Sequence, residues 1–400
     1  MPAPPQEIIR SDGGKIVFLV IDGLGGLPHP DHGGKTELEA ANLPHLDALA
    51  ARSSTGRARI LDAGLTPGSG PGHLSLFGYD PRRIDFGRGL LEALGSDYPL
   101  APGEIAARGN FCTLDAAGNI RDRRAGRPTD AECQRLCERL RAGVRLRDGD
   151  FVILPGKQHR FTLVLRGDGL GHRLNDNDPQ VEGKAPLPIV GLDVPSQRTA
   201  GLVDDFLKQA CALLRGETNA SGLLLRGFSS RPVIETFAER YGLRAAAIAI
   251  YPMYRGVASL VGMKILSPGK SLADQIAVAR EHWDHYDFFF IHTKDADTAG
   301  HSGDFRGKVA ALETIDRDVP LLEALGADAL IITGDHSTPT LHREHSWHPV
   351  PVILHSRSSV PMPVSFDERA VLGGDLQTLC AQELLPLALA HAGRLDKFGA

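Results

Sequence analysis

Three times this chain carries an unbroken apolar run that stops at an acid or an imidazole, and that repetition constrains its fold more than any other feature. The runs are Lys15-Ile-Val-Phe-Leu-Val-Ile-Asp22, Tyr286-Asp-Phe-Phe-Phe-Ile-His292 and Ala329-Leu-Ile-Ile-Thr-Gly-Asp335. A strand apolar on both faces must be covered on both faces, as in a parallel sheet. Pro349–His355 predicts a further strand, and helix-like stretches such as Leu272–Asp284 and Gly307–Leu325 lie between the runs. Alternating strands and helices predict an α/β fold, doubly wound about a mainly parallel sheet. Ligands of such sheets gather beyond the carboxyl ends of the strands. Asp22 and Asp335 fall there, and Lys294–His301 begins there.

The middle of the chain reads differently. Phe151–Leu154 and Phe161–Leu165 are short strands separated by the polar link Pro155–Arg160, which predicts an inserted, smaller α+β domain. Segments with metal-type residues flank it on both sides. The expected organisation is therefore a discontinuous metal-binding domain of residues 1–85 and 245–400 and an inserted substrate-binding domain of residues 86–244.

Net charge is −5 and no long Lys/Arg run occurs, so nothing supports a nucleic-acid partner. There is no apolar signal core and no run of about twenty apolar residues of the kind a membrane helix needs, so a cytoplasmic location is expected. Cys112, Cys133, Cys137, Cys211 and Cys380 form no C-x-x-C pair. That argues against thiolate metal sites and disulfides, and packing roles are expected instead.

In Asp297-Thr-Ala-Gly-His301, an acid and an imidazole four residues apart can share an ion if the segment is helical; alone, the pattern could equally be a capped surface turn. Gly334-Asp335-His336-Ser337 adds adjacent donors after a buried strand. His345-Ser-Trp-His348 adds imidazoles nine and twelve residues after His336. Carboxylate oxygen mixed with imidazole nitrogen, without thiolate, suits Mn²⁺ or Zn²⁺ best, with Mg²⁺ marginal. The number of donors exceeds what one catalytic ion takes, so two divalent ions are expected, the usual clamp for in-line phosphoryl transfer. Leu65-Thr-Pro-Gly-Ser-Gly-Pro-Gly-His73 holds Ser69 in a rigid turn. By itself that is a surface turn more often than a nucleophile. Beside a metal it gains meaning, because coordination lowers a hydroxyl pKa without a histidine triad.

The insertion contributes Asp122-Arg123-Arg124-Ala-Gly-Arg127, His159-Arg160 and Arg226. Guanidinium forks on loops suit a small, highly anionic ligand. If the segment is extended, Arg123 and Arg124 cannot both face it.

Several long stretches resemble the cofactor-independent phosphoglycerate mutases, in particular their short, archaeal-type branch, within the alkaline phosphatase superfamily. They are Val20–Gly25, Leu65–Pro81, Gly87–Gly95, Arg108–Phe111, Asp122–Arg127, Lys294–Asp304, Gly334–Pro339 and His345–Pro351, and they span nearly the whole chain. The resemblance implies an alkaline-phosphatase-like fold, one ion on Asp297, His301 and His345, and a second on Asp22, Ser69, Asp335 and His336. It selects His345 as ligand over His348, leaving His73, Lys294 and His348 as supporting neighbours. The implied reaction interconverts 3-phosphoglycerate and 2-phosphoglycerate through a phosphoserine at Ser69, with no bisphosphoglycerate and with Mn²⁺ foremost among Mn²⁺, Zn²⁺, Co²⁺ and Mg²⁺. Arg123, Arg124, Arg127, His159, Arg160 and Arg226 would meet the substrate. Asp122 would carry the proton between glycerate hydroxyls, with Asp178 behind it. Arg255 stands where the wider family tends to carry a lysine and keeps the charge. Two other readings use the same residues: a phosphatase or phosphomutase acting on another small phosphorylated metabolite, and a metal-binding protein without catalysis.

Overall fold

The computed structural model describes residues 4–84 and 87–399. Its strands, in chain order, are β1 (Ile16–Ile21), β2 (Ser54–Arg59), β3 (Ile105–Leu114), β4 (Ile120–Asp122), β5 (Asp150–Pro155), β6 (Arg160–Arg166), β7 (Gly222–Ser230), β8 (Ala245–Ala249), β9 (Lys264–Ile265), β10 (Phe288–Thr293), β11 (Ala329–Thr333), β12 (Val350–His355) and β13 (Gln377–Cys380). The large sheet runs β13-β2-β12-β11-β1-β10-β8-β9. β11, β1, β10, β8 and β9 are mutually parallel, whereas β12 runs antiparallel to β11 and β2.

Every residue of β1 is buried because both faces are covered. Val17, Leu19 and Ile21 pack with Leu46, Ile276, Leu312, Ile315 and Val319, brought by helices Pro44–Ala50, Leu272–Glu281 and Phe305–Glu323. On the other face an aromatic layer includes Phe18 against Phe288 at 5.1 Å and Phe77 against Phe290 at 5.0 Å. Each such side chain contributes about 1.5–3 kcal/mol on burial. A charged residue at Leu19 would therefore break the sheet at its centre.

The insertion is an antiparallel sheet, β4-β3-β6-β5 with β7 on β3, backed by helices Asp130–Gly143 and Val194–Leu213. Cys133 and Cys137, one turn apart, are buried there beside Leu136, Leu140, Val203 and Phe206, as packing residues should be. The first compact unit comprises the chain to Ile84 and again from Ile234; the second ends at Val233. The return thus precedes the expected residue 245. The reason is the short helix Phe237–Tyr241: Phe237 stacks edgewise on Phe77 and the Tyr241 hydroxyl donates to the Phe77 carbonyl at 3.1 Å, which ties the segment to the first unit. The expected forward boundary, between residues 85 and 86, lies outside the described residues. Among the described residues no helix is long and apolar enough to cross a membrane.

Candidate metal centre

β11, β1 and β10 are adjacent, parallel and in register, Val20 lying opposite both His292 and Thr333. Their carboxyl ends therefore deliver Asp22, Lys294 and Asp335 to one edge. The helix Asp295–Ser302 follows Lys294 and sets Asp297 and His301 one turn apart. Ser69 opens the helix Ser69–Leu76, which crosses so close to the third strand's end that a Cβ on Gly72 would lie 2.5 Å from the Asp335 carbonyl oxygen. Only glycine permits that approach.

Asp22, Asp297, Asp335 and His336 are buried. His336 Nε2 lies 3.4 Å from Asp22 Oδ1, 3.2 Å from Asp335 Oδ2 and 3.3 Å from Ser69 Oγ. The Thr338 hydroxyl sits 2.7 Å from Asp297 Oδ1 and 3.0 Å from His336 Nδ1. The carboxylate can only accept, so the hydroxyl donates to it and accepts from Nδ1–H, which leaves Nε2 of His336 as a bare lone pair. His301 and His345 are held the same way. Their Nδ1 atoms donate to the carbonyls of Arg343 at 3.0 Å and Pro67 at 2.9 Å, and their Nε2 atoms lie 3.5 and 3.7 Å from Asp297 Oδ1. Outer hydrogen bonds that fix a tautomer in this way are the usual support of metal-binding histidines.

Acceptor atoms of His336, Asp22 and Asp335 thus converge, with the Ser69 hydroxyl in reach of Nε2 as a donor. Asp22 Oδ1 and Asp335 Oδ2 are buried and accept no hydrogen bond from the described residues. Burial and the charges of Asp22 and Asp297 push the Asp335 carboxyl well above its ordinary range. Asp22 stays ionised against its own burial, held well below the usual carboxylate range chiefly by the adjacent His292 and by the Lys294 ammonium. Burial depresses His336 and takes His73 down to about 3, so both are neutral near pH 7. Buried, neutral imidazoles and uncompensated carboxylate oxygens fit divalent cations. Among the described residues two donor groups, each with atoms within 4.8 Å of one another, are Asp22, Asp335, His336 and Asp297, His336, His345.

Lys294 and Tyr254 brace the centre. Lys294 Nζ lies 2.9 Å from Asp22 Oδ2, 2.6 Å from Asp297 Oδ2 and 2.8 Å from the Tyr254 hydroxyl, which itself donates to Asp22. His73 Nδ1 donates to the Ser69 carbonyl at 2.8 Å and lies 3.3 Å from Asp335. His292 Nε2 is 3.3 Å from Asp22. Tyr254, His292 and Thr338 escaped the sequence reading. Tyr254 adjoins Arg255, His292 ends an apolar run and Thr338 lies inside the stretch Gly334–Pro339, but no spacing marks any of them. Arg255 itself donates to the Ile250 carbonyl at 3.1 Å, and His348 Nδ1 meets Ser346 Oγ at 3.1 Å.

In the insertion, Asp122 Oδ1 accepts Arg124 N–H at 2.7 Å and its Oδ2 accepts Gly126 N–H at 2.6 Å, so the acid fastens its own turn. Asp122, Arg123, Arg124 and Arg127 line a recess of about 520 Å³. Arg123 grips Asp178 with two bonds, 3.1 and 2.7 Å, and Arg226 stands 3.9 Å from the same carboxylate. Arg124, Arg127 and Arg160 are exposed. His159 is buried, and burial together with Arg160, Arg124, Arg108 and Arg127 lowers it to about 4.

Residues 50–219 match the sequence model of the 2,3-bisphosphoglycerate-independent phosphoglycerate mutases. The chain is 46% identical over 400 residues to a probable 2,3-bisphosphoglycerate-independent phosphoglycerate mutase of Thermus thermophilus, covering 99% of this chain and 98% of that one. It is 45% identical over 398 residues to a protein of the same description from Thermotoga neapolitana, with the same coverage. Among solved structures, the cofactor-independent phosphoglycerate mutase of Thermoplasma acidophilum matches with a TM-score of 0.77 at 28% identity, covering 95% of this chain and 100% of that one.

Proposed function

The chain belongs to the 2,3-bisphosphoglycerate-independent phosphoglycerate mutase family, and from that premise we propose that Ser69 carries the phosphoryl group between the two glycerate oxygens. As an isomerase of this family it interconverts 3-phosphoglycerate and 2-phosphoglycerate. The observation that supports Ser69 is its place 3.3 Å from the unprotonated Nε2 of His336, beside Asp22 and Asp335, each with one buried oxygen that accepts no hydrogen bond from the described residues. Asp22, Asp335, His336 and Ser69 would hold one divalent ion, and Asp297, His301 and His345 another; the oxygen and nitrogen donors favour Mn²⁺. When bound, such ions supply Lewis acidity, lowering the serine pKa and offsetting charge on the phosphoryl oxygens.

In the outward step the bond from Ser69 Oγ to phosphorus forms as the bond from phosphorus to O3 breaks, and the proton lost by the serine is matched by one gained at O3. The return step exchanges the same bonds at O2, which gives up its proton. Ser69 ends as it began, so no bisphosphoglycerate is consumed. Lys294 pairs with Asp22 and Asp297 and keeps both oriented throughout. In the insertion, the exposed Arg124, Arg127 and Arg160 would meet the glycerate carboxylate. Asp122 is the proposed proton carrier there, one of its two backbone bonds opening when it protonates.

Incubation with 3-phosphoglycerate and Mn²⁺ alone tests the reading. We expect 2-phosphoglycerate to accumulate with inorganic phosphate near background. Phosphate released in place of 2-phosphoglycerate would make the chain a hydrolase.

A further inference from the structure

Lys308 sits on the helix Phe305–Glu323 and is wholly buried, although a lysine is almost never so unless its charge is met. Its Nζ donates to two backbone carbonyls, Gly25 at 3.0 Å and Thr338 at 3.0 Å. Gly25 lies on the loop that leaves Asp22; Thr338 lies two residues beyond His336. The same two loops are stitched by the Thr338 N–H on the Gly25 carbonyl at 3.1 Å and by bridges between Leu24, Gly25 and Ser337. One ammonium therefore closes the junction between the loops that carry three of the presumed metal donors.

The surroundings are built for it. Glu37, also buried, fixes the next part of the second loop, accepting from Thr340 N–H at 2.8 Å and Thr340 hydroxyl at 2.6 Å. Its free Oε2 lies where a Cβ on Gly26 would come within 1.8 Å, so that glycine makes room for the carboxylate. Glu368 holds the first loop, accepting from Gly26 N–H at 2.7 Å and from Thr36 at 2.6 Å. None of these three charged residues is among the presumed ligands. They grip the backbone behind them.

We propose that Lys308 is a positioning residue for the metal centre, acting through Thr338. Its pull on the Thr338 carbonyl sets the Thr338 hydroxyl, which orients Asp297 and fixes the tautomer of His336. Without it, His336 loses the support that turns a bare Nε2 toward Asp22 and Asp335. The inference rests on the two-metal reading above.

The test is Mn²⁺ titration of the full chain without substrate, free ion being followed by electron paramagnetic resonance, in wild type, Lys308→Met and Lys308→Gln. Lys308→Met is expected to weaken Mn²⁺ about tenfold or more, the usual effect of removing an outer hydrogen-bond partner. Lys308→Gln keeps N–H donors and is expected to lose less. Wild-type affinity in a folded Lys308→Met, with only a lower melting temperature, overturns the proposal, as does equal weakening in both variants. Should Lys308→Met fail to fold, Lys308→Gln decides alone: several-fold weakening supports the role, and affinity within about twofold of wild type contradicts it. Failure of wild type itself to bind Mn²⁺ would instead sink the metal reading.

Discussion

Asp22 and Asp178 are both aspartates whose side chains are wholly buried, yet they are partnered differently. Both oxygens of Asp178 are met by the Arg123 fork, and Oδ1 also takes the Gln180 N–H at 2.9 Å. Asp22 has donors on Oδ2, from Tyr254 and Lys294, while its Oδ1 faces the Nε2 lone pair of His336. A buried carboxylate satisfied within its own domain holds a loop in shape. One satisfied on a single oxygen, beside neutral imidazoles and a second depleted carboxylate, leaves coordination capacity for a cation. Burial and residue type are the same in the two cases, so the partner on the second oxygen tells a structural acid from a functional one.

Breaking each arrangement separately sharpens the contrast. Asp178→Asn strands Arg123, itself about a quarter exposed, and is expected to cost about 3 kcal/mol of stability while Mn²⁺ affinity stays at the wild-type value. Urea unfolding beside Mn²⁺ titration reads both quantities, and a change in affinity would mean the two regions are not independent in this sense. Tyr254→Phe should do the reverse. Losing the hydroxyl that orients Asp22 is expected to weaken Mn²⁺ about tenfold, or 1.4 kcal/mol, with little effect on the urea midpoint of the metal-free chain.

The smallest effect concerns His159. Its folded value, about 4, lies below the ordinary 6.5, so the unfolded chain binds the proton more readily in that window. Its contribution to stability is therefore full above about pH 6.5 and is lost as pH falls toward 4. His159→Asn should flatten that slope by no more than about 1 kcal/mol per pH unit, because solvent screens the exposed arginines around it. A steeper acid loss in the variant would place the origin of the slope elsewhere.

Much of the centre was legible because it is local. Asp22 and Asp335 end apolar runs that strand periodicity sets on a shared edge, and Asp297 and His301, one helical turn apart, gain meaning beside them. The antiparallel course of β12 was not legible, since a strand buried on both faces looks the same in either direction. The return at Ile234 was hidden because Phe237 and Tyr241 reveal their allegiance only by packing on Phe77. Tyr254 and Lys308 carry no motif of their own, and Thr338 stands in one only as a neighbour of His336; each matters through a partner between 40 and 283 residues away in sequence. Asp178, expected behind Asp122 as a proton carrier, takes two bonds from Arg123, more than fifty residues distant, and acts as a clamp.

The central claim is that Ser69 becomes a phosphoserine during turnover. Acid quenching of the enzyme with Mn²⁺ and 3-phosphoglycerate, followed by peptide mass analysis, measures this directly. The account predicts phosphate on the peptide containing Ser69, and in Ser69→Ala neither that phosphopeptide nor mutase activity above about a thousandth of wild type. Undiminished interconversion in Ser69→Ala would contradict it.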